Sequence, residues 1–272
     1  PVSPEAETPG AWPPAPAARI PLAAGRLAAT LERTTAALDR AVAAWVRDGD
    51  PGTWPPPRDV VLLALHQQRI YRELGARPRL TQRVLRLLAP GLRGEAWRNA
   101  TAQRALLSLL PDRVTRTPRL RTRPPRPAEE LLGYYREGER RFGVAWEVLA
   151  AVNMVESRFG RVTSPSSAGA LGPMQFLPST WAAYGMGGDV RDDRDAILGA
   201  ANYLAASGAP GDYRRALYAY NPSWAYVRAV WLYARQMMRE PRSFYAYYNW
   251  QVYVLTPEGP VRITGPGASS VR

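Results

Sequence analysis

From Leu22 to Val46 apolar side chains return at helical spacing. Leu27, Leu31, Leu38, Val42 and Trp45 share one face, which predicts an amphipathic helix. Asp50-Pro51-Gly52 breaks it. A second helix is predicted from Asp59 to Leu74, after the Pro-rich turn at Trp54. Leu80–Leu88 and Glu95–Leu110 predict a third and a fourth. Residues 20–110 therefore read as a helical region without recognisable chemistry. Beyond them the helical pattern resumes at Ala128–Phe142 and Trp146–Ser157, joined at Gly143. A Ser/Gly/Pro-rich loop fills 158–177. Further helices are expected from Trp181 (with Ser179 as N-cap), over Asp193–Ala206, Arg214–Tyr220 and Trp224–Met238. Phe244–Ile263 changes character. Aromatic and β-branched residues flank a Pro-Glu-Gly turn, which predicts one β-hairpin.

The segments between these patterns set the domain expectations. Residues 1–19, rich in Pro, Ala and Glu, read as a disordered leader. Residues 111–127 carry Pro and like-charged Arg and read as an extended basic linker. The expected divisions are thus a leader at 1–19, a helical region at 20–110, a linker at 111–127, a helical domain at 128–240, and a hairpin with a loose tail at 241–272. The fold class is mainly α.

Composition narrows the chemistry. Of 272 residues 46% are hydrophobic, ample for a core. The chain has no cysteine, which excludes disulfides and thiolate metal sites. His66 stands alone, so neither a zinc site nor a histidine-based triad can be assembled. The acidic run Gly187–Asp195 lacks the alternation and closing Glu of a calcium loop and is broken by two Arg. No cofactor and no metal are expected. All 36 basic residues are Arg, and the net charge is +13. Such charge suits anionic lipid, wall polymers or nucleic acid, but no nucleic-acid motif is present, so nucleic acid is not an expected partner. No apolar stretch is long enough for a transmembrane helix.

The candidate chemistry centres on Glu156, in Ala-Val-Asn-Met-Val-Glu-Ser-Arg-Phe-Gly (151–160). A carboxyl at the C-terminal end of an apolar helix is disfavoured as an anion by burial and by the helix dipole. That environment prepares a general acid for glycosidic-bond cleavage. The plain alternative is a helix-end Glu paired with Arg158 or Arg161. Downstream lie Gly-Ala-Leu-Gly-Pro-Met-Gln-Phe-Leu-Pro-Ser-Thr-Trp (169–181) and Ala-Leu-Tyr-Ala-Tyr-Asn (216–221).

Glu-Ser, then Gly-x-Met-Gln, then Ala-Tyr-Asn, in this order over about residues 130–240, resembles the catalytic domain of the lytic transglycosylases. The 172–181 segment, with Asp195-Ala196-Ile197 and Ala200–Leu204, looks most like the membrane-bound lytic transglycosylase B type. The resemblance implies a lysozyme-like fold and cleavage of the MurNAc–GlcNAc bond of peptidoglycan to 1,6-anhydro ends. It implies Glu156 as single acid and base, and a substrate role for Ser157, Met174, Gln175, Tyr220 and Asn221. Residue chemistry fits these roles. Gly172 allows close approach of a ligand, Met174 an adaptable apolar contact, and Gln175 a donor and an acceptor. The Tyr220 hydroxyl suits a hydrogen bond to the acid. Tyr218, Trp224 and Tyr226 add aromatic faces.

Two other readings stay open. One is a lysozyme-type hydrolase drawing its second carboxylate from Asp189, Asp192, Asp193 or Asp195. The other is a non-catalytic wall-binding module. The expected partners are peptidoglycan glycan strands and anionic wall polymers. The chain opens on Pro1, and the implied substrate lies outside the membrane. The expectation is an exported protein, periplasmic or wall-associated, with its signal peptide removed.

Overall fold

The computed structural model describes residues 12–111 and 114–269. Eleven helices and one hairpin make up the regular structure there, a mainly α architecture. The N-terminal region contributes α1 (Ala24–Asp48), α2 (Arg58–Ala76), α3 (Pro78–Leu87) and α4 (Pro90–Leu107). Then come α5 (Ala128–Phe142), α6 (Trp146–Ser157), α7 (Pro178–Tyr184), α8 (Asp193–Ala206), α9 (Tyr213–Tyr220), α10 (Trp224–Arg239) and α11 (Ser243–Tyr248). Strands β1 (Tyr253–Thr256) and β2 (Gly259–Arg262) pair antiparallel, with Thr256 opposite Gly259 across the turn.

The helix at the centre is α6. Every residue from Val148 to Met154 is buried, as expected of a helix that is apolar on all sides. It is surrounded by α5, α8, α10 and α11. Two of these neighbours are stabilised at their own ends. Helix α5 has Glu129 and Glu130 in its first turn and Arg140 and Arg141 in its last, matching the helix dipole. It stops at Gly143, whose φ of 71° suits a left-handed C-cap. Helix α8 starts on Asp192, whose carboxylate accepts from the Asp195 N–H at 3.0 Å.

The N-terminal helices are not a separate body. One continuous core runs from Ile20 to Trp250. The seam between α4 and the later chain is polar but satisfied. Gln103 Nε2 donates to the Tyr233 hydroxyl at 2.9 Å, and Arg98 Nε donates to Gln236 Oε1 at 2.7 Å. The Tyr247 hydroxyl donates to Asn99 Oδ1 at 2.7 Å. Gln68 on α2 closes a two-way bond with the Gln251 backbone, 2.8 Å in each direction. Buried polar groups paired in this way become costly donors and acceptors as soon as one side is removed.

Several expectations meet different geometry. Residues 243–248 form α11 rather than a strand. Their aromatic content suits strand and helix alike, and the buried ring cluster around Phe244 decides the matter. Helix α7 begins at Pro178 in its first turn, with no side-chain cap; Ser179 lies inside it. The first eleven residues of the expected leader lie outside the described residues. Of the remainder, Trp12 sits edge-on to His66 at 6.0 Å, and Arg69 donates to the Pro16 and Ala18 carbonyls. The basic linker runs beside the turn after α6 and pairs with it. Thr122 bridges Val162, and Arg123 N–H donates to the Arg161 carbonyl at 2.9 Å. No helix among the described residues is long and apolar enough to cross a membrane.

The seam with α4 covers Tyr233 and Gln236 on the later helices. A chain beginning at Val114 is expected to lose cooperative thermal unfolding, measured by circular dichroism. A sharp transition near that of the full chain would show instead that the two regions fold independently.

Candidate active site

Glu156 stands on the last turn of α6, which ends in a tight turn at residues 158–160. Arg158, Phe159 and Gly160 all have left-handed backbone, with φ of 55°, 60° and 75°. Two of these are not glycine, and such residues cost about 1–3 kcal/mol each in strain. The strain is held by local bonds. Phe159 N–H donates to the Asn153 carbonyl at 3.2 Å and Val162 N–H to the Ser157 carbonyl at 3.0 Å. Phe159 is fully buried against Phe244, ring centroids 5.8 Å apart.

Ser157 is the knot of this turn. Its hydroxyl is buried, donates to the Pro173 carbonyl at 2.5 Å and accepts from the Gly160 N–H at 2.8 Å. Asn153, one turn earlier and wholly buried, donates to the same Pro173 carbonyl at 2.8 Å and accepts from the Tyr135 hydroxyl at 2.6 Å. Together they staple the Gly172–Gln175 loop to the end of α6. The loop is braced on its other side too. Gly172 has φ of 75°, and a Cβ there would lie 1.7 Å from the Val190 carbonyl oxygen. The close approach that Gly172 permits is therefore made by the chain itself.

The motif residues divide between support and surface. Met174 is fully buried and presents its carbonyl, which accepts from the Tyr220 hydroxyl at 2.7 Å. Gln175 has φ of 51°, is partly exposed, and donates to the Gly172 carbonyl at 2.9 Å. The Tyr220 hydroxyl, expected on Glu156, is thus committed to the loop. Asn221 is partly exposed at the end of α9, its N–H donating to the Leu217 carbonyl. Phe176, Trp181, Tyr203 and Tyr220 form an aromatic wall behind the loop, with neighbouring centroids 5.2–5.8 Å apart. On the neighbouring surface the exposed Trp224 stacks on Tyr218 at 4.6 Å, with the Arg214 guanidinium 5.7 Å from the Trp224 ring.

The group that meets Glu156 is Tyr226 on α10. Its ring is buried, and its hydroxyl has no other partner. It stands beside the carboxyl without closing a full hydrogen bond, and its dipole lowers the acid's pKa. Burial dominates in the other direction and pushes the Glu156 carboxyl up to about 7. No acidic neighbour contributes to that shift. Neither Arg158 nor Arg161 forms an ion pair with Glu156; the Arg158 guanidinium turns inward, with Nη1 buried and unpartnered.

The acidic run is otherwise engaged. Asp192 caps α8, and Asp195 Oδ2 accepts from the Asp189 N–H at 3.0 Å. Asp193 is buried and binds Arg123 at 2.5 Å and Arg126 at 3.4 Å.

Residues 133–236 match the family model of the transglycosylase SLT domain. No curated protein and no solved structure matches the chain. The SLT match runs from α5 into α10 and takes in Glu156, the Gly172–Gln175 loop, Tyr220 and Tyr226.

Sequence reasoning does not single out Asn153, and it names Tyr226 only as an aromatic face. Asn153 leaves a signal, since an amide inside an apolar helix must find partners and Ser157 lies one turn on. Tyr226 leaves none beyond its aromatic character.

Ser157→Ala is expected to lower stability by roughly 1–3 kcal/mol in urea melts, because Gly160 N–H loses its acceptor. A Tyr226→Phe variant removes the one influence that lowers the Glu156 pKa. Carbon NMR titration of labelled glutamate should find the Glu156 midpoint higher than in the parent, and an unchanged midpoint would rule out contact between the two groups.

Proposed function

We propose that the chain is a lytic transglycosylase that cleaves the β-1,4 bond between MurNAc and GlcNAc in peptidoglycan, with Glu156 as its only acid and base. One observation carries this reading. A single carboxyl with a pKa near 7 sits at the end of a buried helix inside the SLT match, with no second carboxylate influencing it. A protonated Glu156 gives its proton to the glycosidic oxygen as the C1–O bond breaks. The resulting carboxylate takes the proton of the C6 hydroxyl of the same muramyl residue. That oxygen bonds to C1, and the product is a 1,6-anhydro end formed without water.

The surrounding residues support the glycan reading in different ways. Ser157 and Met174 act from beneath, holding the loop that carries Gln175. Gln175 and Asn221, both partly exposed, are the polar groups best placed for acetamido and hydroxyl contacts. Tyr220 holds the loop by its hydroxyl. Trp224 and Tyr218 offer an apolar platform to a sugar face. The likeness to the B type rests on the 172–181 segment and the residues entering α8. A wall substrate, with anionic wall polymers as further partners of a +13 chain, makes an exported protein the natural reading. Hydrolysis is less well supported, because Asp189, Asp192, Asp193 and Asp195 are engaged in capping, backbone bonds or Arg pairing.

Mass spectrometry of muropeptides released from purified peptidoglycan tests the route. Products lighter than the hydrolytic ones by one water, lost in Glu156→Gln, are the expected result. Hydrated reducing ends would overturn the single-carboxylate mechanism. Activity should fall as pH rises above about 7, where Glu156 loses its proton.

The same titration has a stability signature. The folded-state pKa lies above the ordinary value of 4.5, so the folded chain loses stability as pH rises from 4.5 through about 7. The amide introduced by Glu156→Gln does not titrate. That variant should therefore gain melting temperature over the parent as pH is raised from 4.5 to about 8. A constant difference across that range would mean that Glu156 titrates normally.

A further inference from the structure

Away from Glu156, a cavity of about 490 Å³ lies where four parts of the chain meet. Its walls are the Trp54–Pro56 turn before α2, linker residues 122–125, and residues 263–266 after β2. Arg161 lines it from the turn after α6. Five prolines, Trp54, Val61 and Ile263 give it apolar surface, Asn249 and Gln251 add amides, and no Asp or Glu is among the lining residues.

Arg161 is the unusual member. It is only 3% exposed, and its one side-chain hydrogen bond runs from Nη1 to the Arg158 carbonyl at 3.1 Å. Among the described residues it has no carboxylate within ion-pair distance. Its guanidinium lies 5.1 Å from the Tyr248 ring centroid and 6.0 Å from that of Trp54. Burial without a counter-charge lowers its pKa to about 10. Buried arginines are ordinarily paired, since an isolated buried charge is strongly disfavoured. The other cations of the cavity do not resemble it. Arg123 is neutralised by Asp193, and Arg58 is exposed at the rim.

We propose that this cavity is a second binding site, which takes an organic carboxylate carried on an apolar body. The carboxylate pairs with the Arg161 guanidinium, and the body lies between Trp54 and the prolines. The planar fork of Arg matches a carboxylate, and the volume suits a small ligand or a peptide end. One unpaired buried cation matches one negative charge. A free acid and a peptide C-terminus share this chemistry. The assignment is independent of the role given to Glu156.

Calorimetric titration of the full chain separates the sources. Phenylbutyrate and N-acetyl-Ala-Phe serve as probes, each beside its uncharged amide. At least one acid is expected to bind at a single site about tenfold or more tighter than its amide, a difference set by the charge. Trp54→Ala and Arg161→Gln should each weaken that binding by about tenfold or more, while Glu156→Gln leaves it unchanged. Binding of phenylbutyrate alone assigns the site to small acids, and binding of the peptide alone assigns it to chain ends. Trp54 lies on an exposed turn, so its variant carries the test should Arg161→Gln fail to fold. No saturable binding up to about 10 mM, equal affinity for acid and amide, or binding of phenyl phosphate with both acids silent would each overturn the proposal.

Discussion

The hydroxyl of Ser157 is the point on which the candidate site depends. It is one oxygen with a donor duty toward Pro173 and an acceptor duty toward Gly160. Those two bonds make a helix end and a distant loop into one object. They also hold Arg158 and Phe159 in a backbone region that side chains avoid. The strain is local, but the restraint is spread over Asn153, Tyr135 and the Phe159 ring. Glu156 lies two residues before this turn. The residue is half-buried by its surface, and desolvation of its carboxyl is the main cause of its raised pKa.

Around this knot the aromatic residues do two kinds of work. Phe159, Phe244, Tyr135 and Trp146 fill the space beneath the turn. Tyr220 and Tyr226 turn their polar ends to the site, the first to the loop carbonyl and the second to Glu156. Tyrosine suits this division, since it adds bulk to a core and still carries one hydrogen-bonding group.

Much of the helical fold is legible in the sequence because long amphipathic segments carry their period openly. Residues 128–142, 146–157 and 193–206 form helices with the expected bounds. Residues 243–248 mislead because their composition suits strands, whereas the buried cluster around Phe244 fixes a short helix. For the site, spacing and motif bring Glu156 into focus and also the loop that packs beside it. They do not separate residues that face solvent from those beneath. Met174 and Ser157 are buried and Gln175 is partly exposed, although the motif alone reads all three as substrate contacts. The motif suggests the Tyr220 hydroxyl for Glu156, whereas that hydroxyl donates to the Met174 carbonyl and Tyr226 also stands beside the carboxyl. Tyr220 and Tyr226 lie on successive helices, and only three-dimensional packing decides where each hydroxyl points.

Helix α10 has one end at the acid and the other in the N-terminal core. From Tyr226 to Gln236 it rises about 15 Å as a rigid rod. Its far end is bolted to α4 through Tyr233 and Gln236. Helices α1 to α4, which carry no recognisable chemistry, are in this sense the foundation of the site. They set the height and tilt of the beam from which the Tyr226 hydroxyl hangs.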